Sequence, residues 1–189
     1  MTDTERKIIV EEVFLLYENL GRCEYVGEPV SLVEHMSQAA QLAMKGGHDD
    51  EVVLAAFFHD IGHMCALKNN NNAMGIYGVK SHEKVGADFL RAKGFPEKIA
   101  QLVENHVQAK RYLTFKNPDY YNNLSEASRQ TLEYQGGKMN EEEANAFENN
   151  PLFELSILMR KWDEEAKVVQ IPLIEIEMIQ QIALRVLRT

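Results

Sequence analysis

At 189 residues the chain is long enough for one domain with a substantial core, and 45% hydrophobic with 26% charged side chains is an ordinary globular composition. Its 29 acidic against 20 basic residues give a formal charge of −9, which argues against a nucleic-acid binder, whose footprint would be basic. Cys23 and Cys65 show neither metal-type spacing nor a disulfide framework, the start MTDTERK lacks the apolar core of a signal peptide, and no apolar run approaches the ~20 residues of a membrane span. A single cytoplasmic domain over residues 1–189, without membrane or nucleic-acid partners, is the expectation.

Nearly every segment reads as helix. Residues 5–20 carry Ile8, Ile9, Val13, Leu16 and Leu20 at helical spacing. Ser31 and Glu34 form a capping-box pair that opens a helix over 31–44, with His35 on its apolar stripe of Leu32, Met36, Ala39 and Ala43. Residues 49–62 begin acidic and turn apolar all round, predicting a helix buried on every side, with His59 and Asp60 near its end. A loop follows at 66–80, containing the asparagine run 69–72. Ser81 is placed to cap a helix bearing His82, Val85, Gly86 and Phe89 on one face. Gly94 ends it, and Pro96 opens another on which Ile99, Leu102, Val103 and His106 share a stripe. The stretch 111–124 reads as polar and tyrosine-rich, followed by a helix at about 125–135 that stops at Gly136–Gly137. Further helices are expected at 151–166 and about 173–187, separated by Pro172. Strand alternation is absent, so the fold class is all-α, a helical bundle.

Five of the six histidines and two aspartates form one pattern: His35, His59–Asp60 with His63, His82, His106 and Asp163. One histidine on an apolar stripe is usually a core residue with a satisfied hydrogen bond. Several such rings and carboxylates buried together without partners would cost a few kcal/mol each. A shared metal centre satisfies them jointly, and inward-facing ligands on facing helices are how bundles build such sites. Histidine and carboxylate suit iron, manganese and zinc. Six ligands, His35, His59, Asp60, His82, His106 and Asp163, exceed what one catalytic zinc would use. They suit two metals sharing the two oxygens of Asp60.

The order H…HD…H…H…D resembles the HD-domain superfamily, including the extra histidines of its dinuclear members. The stretches EYVGE at 24–28, FHDIGH at 58–63, SHEKVGADFL at 81–90, NHVQAKRY at 105–112, SRQTLEYQGG at 128–137 and RKWDE at 160–164 are similar to the phosphonate-cleaving HD oxygenases, relatives of myo-inositol oxygenase. The resemblance covers about residues 10–166. It implies an HD-domain bundle with a mixed-valent Fe(II)/Fe(III) centre. One iron would be held by His35, His59, Asp60 and Asp163, the other by His82 and His106 with Asp60 bridging. It further implies O2-dependent C–P bond cleavage of a 1-hydroxy-2-aminoethylphosphonate-type substrate to phosphate and glycine, or of its N-trimethyl analogue to glycine betaine. An upstream Fe(II)/2-oxoglutarate hydroxylase would supply that substrate.

Helical register independently places an anion site beside the ligands. Lys110 lies at i+4 from His106, Arg160 at i−3 from Asp163 and His63 at i+4 from His59, while Ser128, Thr131 and Gln135 form a polar stripe. In the resemblance His63, Lys110, Ser128, Thr131 and Arg160 match phosphonate-contacting positions. Tyr25 matches a gating tyrosine that leaves the metal when substrate enters, and Glu28 a glutamate that receives the substrate's ammonium. Tyr25, Glu28 and Asp60 are thus the catalytic candidates, and Tyr25 and Tyr77 could wall a trimethylammonium group. The alternative is an HD-type metal-dependent phosphohydrolase acting on a nucleotide or small phosphate ester, in which residues matching Tyr25 and Glu28 are not expected.

Overall fold

A computed structural model describes residues 1–20, 25, 27–66 and 79–188, and among these every regular element is an α-helix. The elements are α1 (Asp3–Leu20), α2 (Leu32–Lys45), α3 (Asp50–Phe58), α4 (Ile61–Ala66), α5 (His82–Ala92), α6 (Glu97–Lys116), α7 (Pro118–Asn123), α8 (Glu126–Tyr134), α9 (Glu141–Glu148), α10 (Phe153–Glu165) and α11 (Ile176–Val186). The all-α expectation holds. Asn69–Asn72 and Tyr77 lie outside the described residues.

The bundle is built round α3. Residues 52–58 are buried on every side, as the run of apolar residues requires, and α2, α6, α10 and α11 pack about them. Phe14 and Tyr17 of α1 stack on Phe57 at ring-centroid distances of 6.0 and 4.8 Å, closing the core on that side. The predicted capping box at Ser31 and Glu34 is present, which fixes the start of α2 one turn before His35.

Two local expectations are corrected, and two stretches left without an assignment prove helical. The helix over 49–62 does not run through: α3 ends at Phe58, and His59–Asp60 form a turn before α4. The His59 ring turns back on Ala56, its Nδ1 lying 2.8 Å from that carbonyl, so the side chain satisfies an oxygen left over at the helix end. Ser81 occupies the N-cap position of α5 but makes no capping bond, because its φ of 58° is left-handed rather than extended. The 111–124 segment is largely helical. Arg111 and Tyr112 of α6 are held by Glu143 and Glu148 of α9, each at 2.7 Å. Helix α9 itself went unforeseen, although Asn140 and Glu143 form a capping box readable in the sequence.

Backbone contact between α4 and α5 sets the position of His82. A Cβ on Gly62 would stand 1.9 Å from the His82 carbonyl oxygen, and one on Gly86 would stand 3.1 Å from the Gly62 nitrogen. Only glycine permits this approach. Gly62→Ala is expected to destabilise the fold by about 1–3 kcal/mol through overpacking and to weaken metal binding by displacing His82. Thermal unfolding and metal analysis of the loaded protein check this, with Gly86→Ala as the milder comparison.

Candidate metal centre and anion pocket

Five elements deliver the six proposed ligands to one buried point. His35 comes from the first turn of α2, His59 and Asp60 from the α3–α4 turn, His82 from the start of α5, His106 from the middle of α6 and Asp163 from the last turns of α10. All six are buried.

Their polar atoms divide into two groups about the Asp60 carboxylate. On one side Asp60 Oδ2 lies 3.6 Å from both His35 Nε2 and His59 Nε2, while Asp163 Oδ1 is 3.3 and 3.9 Å from the same atoms. On the other side Asp60 Oδ1 lies 3.3 Å from His82 Nε2 and 3.7 Å from His106 Nε2. Metal–ligand bonds of ~2.0–2.2 Å place neighbouring donor atoms roughly 3 Å apart, so each group has the dimensions of one coordination sphere.

The ring tautomers make the case sharper. Each Nδ1 faces a backbone carbonyl: His35 to Ala166 at 2.9 Å, His59 to Ala56 at 2.8 Å, His82 to Val79 at 3.3 Å and His106 to Val103 at 2.6 Å. A carbonyl only accepts, so every Nδ1 carries the proton and every neutral ring turns an Nε2 lone pair inward. Yet His35 and His59 meet Nε2 to Nε2 at 2.9 Å, and His82 and His106 at 3.1 Å. Two lone pairs at that distance repel unless a cation lies between them.

The protonation balance agrees. Burial disfavours charge on His35, but the hydrogen bond and charge of Asp163 outweigh it and raise its pKa, whereas burial lowers that of His59. Burial likewise opposes a raised His82, outweighed by its bond to Asp60, while burial and then the His82 charge push His106 down to about 3. In each pair one ring is thus pushed toward holding a charge and the other away from it. Asp60 Oδ2, buried and without a hydrogen-bond donor among the described residues, is the matching orphan acceptor. The cluster fits a pair of metal ions.

His63 differs from these four rings. It could join Asp60 and His82 in a ligand group by distance alone. Its Nδ1, however, accepts the Val79 N–H at 3.2 Å, which leaves the proton on Nε2. Nε2 points toward Asp60 Oδ1 at 3.9 Å, and the ring stacks on His82 at 4.1 Å. With burial holding its pKa near about 3, His63 is a neutral N–H donor and a poor metal ligand.

The metal cluster forms the floor of a small cavity of about 40 Å³, lined by Tyr25, Glu28, Asp60, His63, His82, His106, Val107, Lys110, Ala127, Ser128, Thr131, Gln135, Arg160 and Asp163. Tyr77 apart, which lies outside the described residues, the pocket residues expected from the sequence are brought together. Lys110 and Arg160 are only 2% and 4% exposed, so neither is a surface charge. Lys110 Nζ donates to Thr131 Oγ1 at 2.7 Å and Gln135 Oε1 at 2.8 Å, with no carboxylate in ion-pair range among the described residues. Burial, then the Arg160 charge, press its pKa well below the ordinary lysine value. A buried ammonium facing a second cation is what a bound anion would relieve. Arg160 donates to Asp163, to Glu164 Oε1 at 2.7 Å and to Ser128 Oγ at 3.4 Å.

Three residues escaped the sequence reading. Tyr120 accepts from Arg160 Nε at 2.9 Å and donates to Glu164, so together they brace the guanidinium. Glu164 was visible at i+4 from Arg160, but Tyr120 carried no signal beyond being one of several tyrosines. Lys167 binds Glu28 Oε1 at 2.6 Å, an oxygen that also accepts Ser125 Oγ at 2.7 Å. Glu28 therefore already has a cation. The half-buried Tyr25 ring stacks on His35 at 4.7 Å, and burial, with the charges of Asp60 and Asp163, pushes its phenol well above its ordinary pKa.

Comparison with known proteins agrees with this geometry. Residues 32–148 match the family model of the HD domain. The chain is 46% identical over 160 residues to an uncharacterized protein of Acanthamoeba polyphaga mimivirus, covering 85% of this chain and 73% of that one. It is 40% identical over 164 residues to the [1-hydroxy-2-(trimethylamino)ethyl]phosphonate dioxygenase (glycine-betaine-forming) of Leisingera caerulea, covering 84% and 80%. It is 39% identical over 159 residues to the hydroxymethylphosphonate dioxygenase of Gimesia maris, covering 84% and 78%. The paired ligand groups, the HD-domain match and these relatives converge: the chain belongs to the HD-domain family, in the branch that holds the phosphonate dioxygenases.

Proposed function

We propose that the protein is a dioxygenase that cleaves the C–P bond of a small 1-hydroxyalkylphosphonate, with two iron ions, Fe(II) and Fe(III), in the paired ligand groups. The observation that carries this reading is the Asp60 carboxylate divided between two ligand groups, beside a buried Lys110 that has no acidic partner among the described residues. The likeness to two phosphonate dioxygenases supports it. For 2-amino-1-hydroxyethylphosphonate the balance is one O2 consumed, the C1–H and C–P bonds broken, and glycine and phosphate released. The N-trimethyl analogue gives glycine betaine. The 1-hydroxyl must be installed earlier, which suits an upstream Fe(II)/2-oxoglutarate hydroxylase.

His35, His59, Asp60 and Asp163 would hold one ion and His82 and His106 the other, with Asp60 shared. The ions supply redox equivalents for O2 and a Lewis-acidic seat for the substrate oxygens. The chain's own groups bind and orient. Lys110 and Arg160 offset the phosphonate charge, and the Ser128 hydroxyl and the His63 Nε2–H donate to its oxygens. Thr131 and Gln135 hold the Lys110 ammonium in place. The Tyr25 phenol, raised in pKa by burial and its acidic surroundings, lines the cavity against His35, and its departure would admit substrate. Glu28, which lines the same cavity, would face the carbon arm of the substrate.

The iron-loaded protein is expected to release phosphate from hydroxymethylphosphonate or a 2-amino-1-hydroxyethylphosphonate only in the presence of O2. Oxygen-independent phosphate release from nucleotides, with the phosphonates untouched, would instead establish the phosphohydrolase alternative. A second pair of variants separates donor from ligand. His63→Ala should keep two metal ions per chain while raising KM about tenfold, the loss of one hydrogen bond to a charged group. His82→Ala should lose an ion. Loss of metal in His63→Ala would contradict the tautomer argument.

A further inference from the structure

The segment after α10 brings a cation to Glu28, one of the residues that line the cavity. Ala166, the C-cap of α10, takes the His35 Nδ1 proton through its carbonyl. Beyond it the chain is tied along α2: Gln38 exchanges two hydrogen bonds with the Val168 backbone at 2.9 and 3.1 Å, and Ser37 Oγ accepts the Ile174 N–H at 2.7 Å. Lys167 is therefore carried on backbone fixed to a ligand-bearing helix. Its side chain is 15% exposed and that of Glu28 is 7% exposed, so the 2.6 Å pair between them is largely shielded from water.

We propose that Lys167 is a specificity-determining residue: by neutralising Glu28 it biases the cavity toward hydroxyphosphonates with an uncharged carbon arm and against those that carry an ammonium group. The inference rests on the phosphonate reading above. A carboxylate with its own buried cation offers little net attraction to a second one. An ammonium drawn to Glu28 would meet the Lys167 charge already bonded to that carboxylate, while Lys110 and Arg160 line the same cavity. Like charges in a poorly solvated site are a strong discriminator. One dioxygenase relative is named for a trimethylamino substrate and the other for hydroxymethylphosphonate, so charged and uncharged carbon arms both occur in the names of proteins similar to this chain.

The test uses the metal-loaded protein without O2 and two probes lacking the 1-hydroxyl, ethylphosphonate and 2-aminoethylphosphonate, which differ only in the ammonium group. Calorimetry gives the ratio of their affinities. Wild type should bind ethylphosphonate at least as tightly as its amino counterpart. Lys167→Met and Lys167→Gln should shift the ratio toward 2-aminoethylphosphonate by about tenfold, Lys167→Arg should retain the wild-type ratio, and adding Glu28→Gln to Lys167→Met should remove the shift. An unchanged ratio in the Met and Gln variants, with metal content intact, overturns the proposal, as does a wild type that prefers the ammonium probe. Because binding is read without turnover, a ratio shift in a protein that oxidises no hydroxyphosphonate would overturn the oxygenase reading alone. Failure of wild type to bind either probe overturns both.

Discussion

The structure depends on four imidazoles, each held by its Nδ1 to a backbone carbonyl and aimed by its Nε2 at the Asp60 carboxylate. Three of these carbonyls lie three residues before their own histidine, so the local backbone sets the ring orientation. The fourth belongs to Ala166 and ties α2 to the end of α10. Two pairs of lone pairs brought within about 3 Å of each other are an arrangement that repels in the absence of a cation. Much of the bundle serves to hold them there: the buried α3 places His59 and Asp60, and the glycine contact between α4 and α5 brings His82 up to Asp60.

The same economy of position shapes the anion pocket. Lys110 stands one turn from His106, and Arg160 one turn from Asp163, so metal ligands and cations share helix faces. Their burial separates this pocket from a patch of surface charge. Arg160 is balanced by Asp163 and Glu164, whereas among the described residues Lys110 bonds to the neutral Thr131 and Gln135. The net positive charge is thereby localised beside the ligand groups. His63 adds a neutral donor there because its tautomer is the reverse of its neighbours'.

Much of this was legible in the sequence because helical periodicity maps register onto faces. His35 and His106 on apolar stripes, the continuous apolar run before His59, and Lys110 at i+4 from His106 all translated directly into shared burial. What escaped had no local signal. The break between α3 and α4 leaves no mark in the apolar run, and Lys167 meets Glu28 as the segment after α10 folds back along α2. The left-handed Ser81 shows the same limit, since a cap residue in sequence need not adopt a capping conformation. Helix α9 is a different case, because its Asn140–Glu143 signature stands in the sequence and could have marked its start.

The central claim is that Asp60 joins two metal ions through its two oxygens. Loading the protein with Mn(II), counting the bound ions and recording the electron paramagnetic resonance spectrum tests it directly, because two ions sharing a carboxylate are exchange-coupled. Two ions per chain with a coupled spectrum, lost in Asp60→Ala, is the predicted result. A single ion per chain, or two with the spectrum of isolated Mn(II), would contradict it.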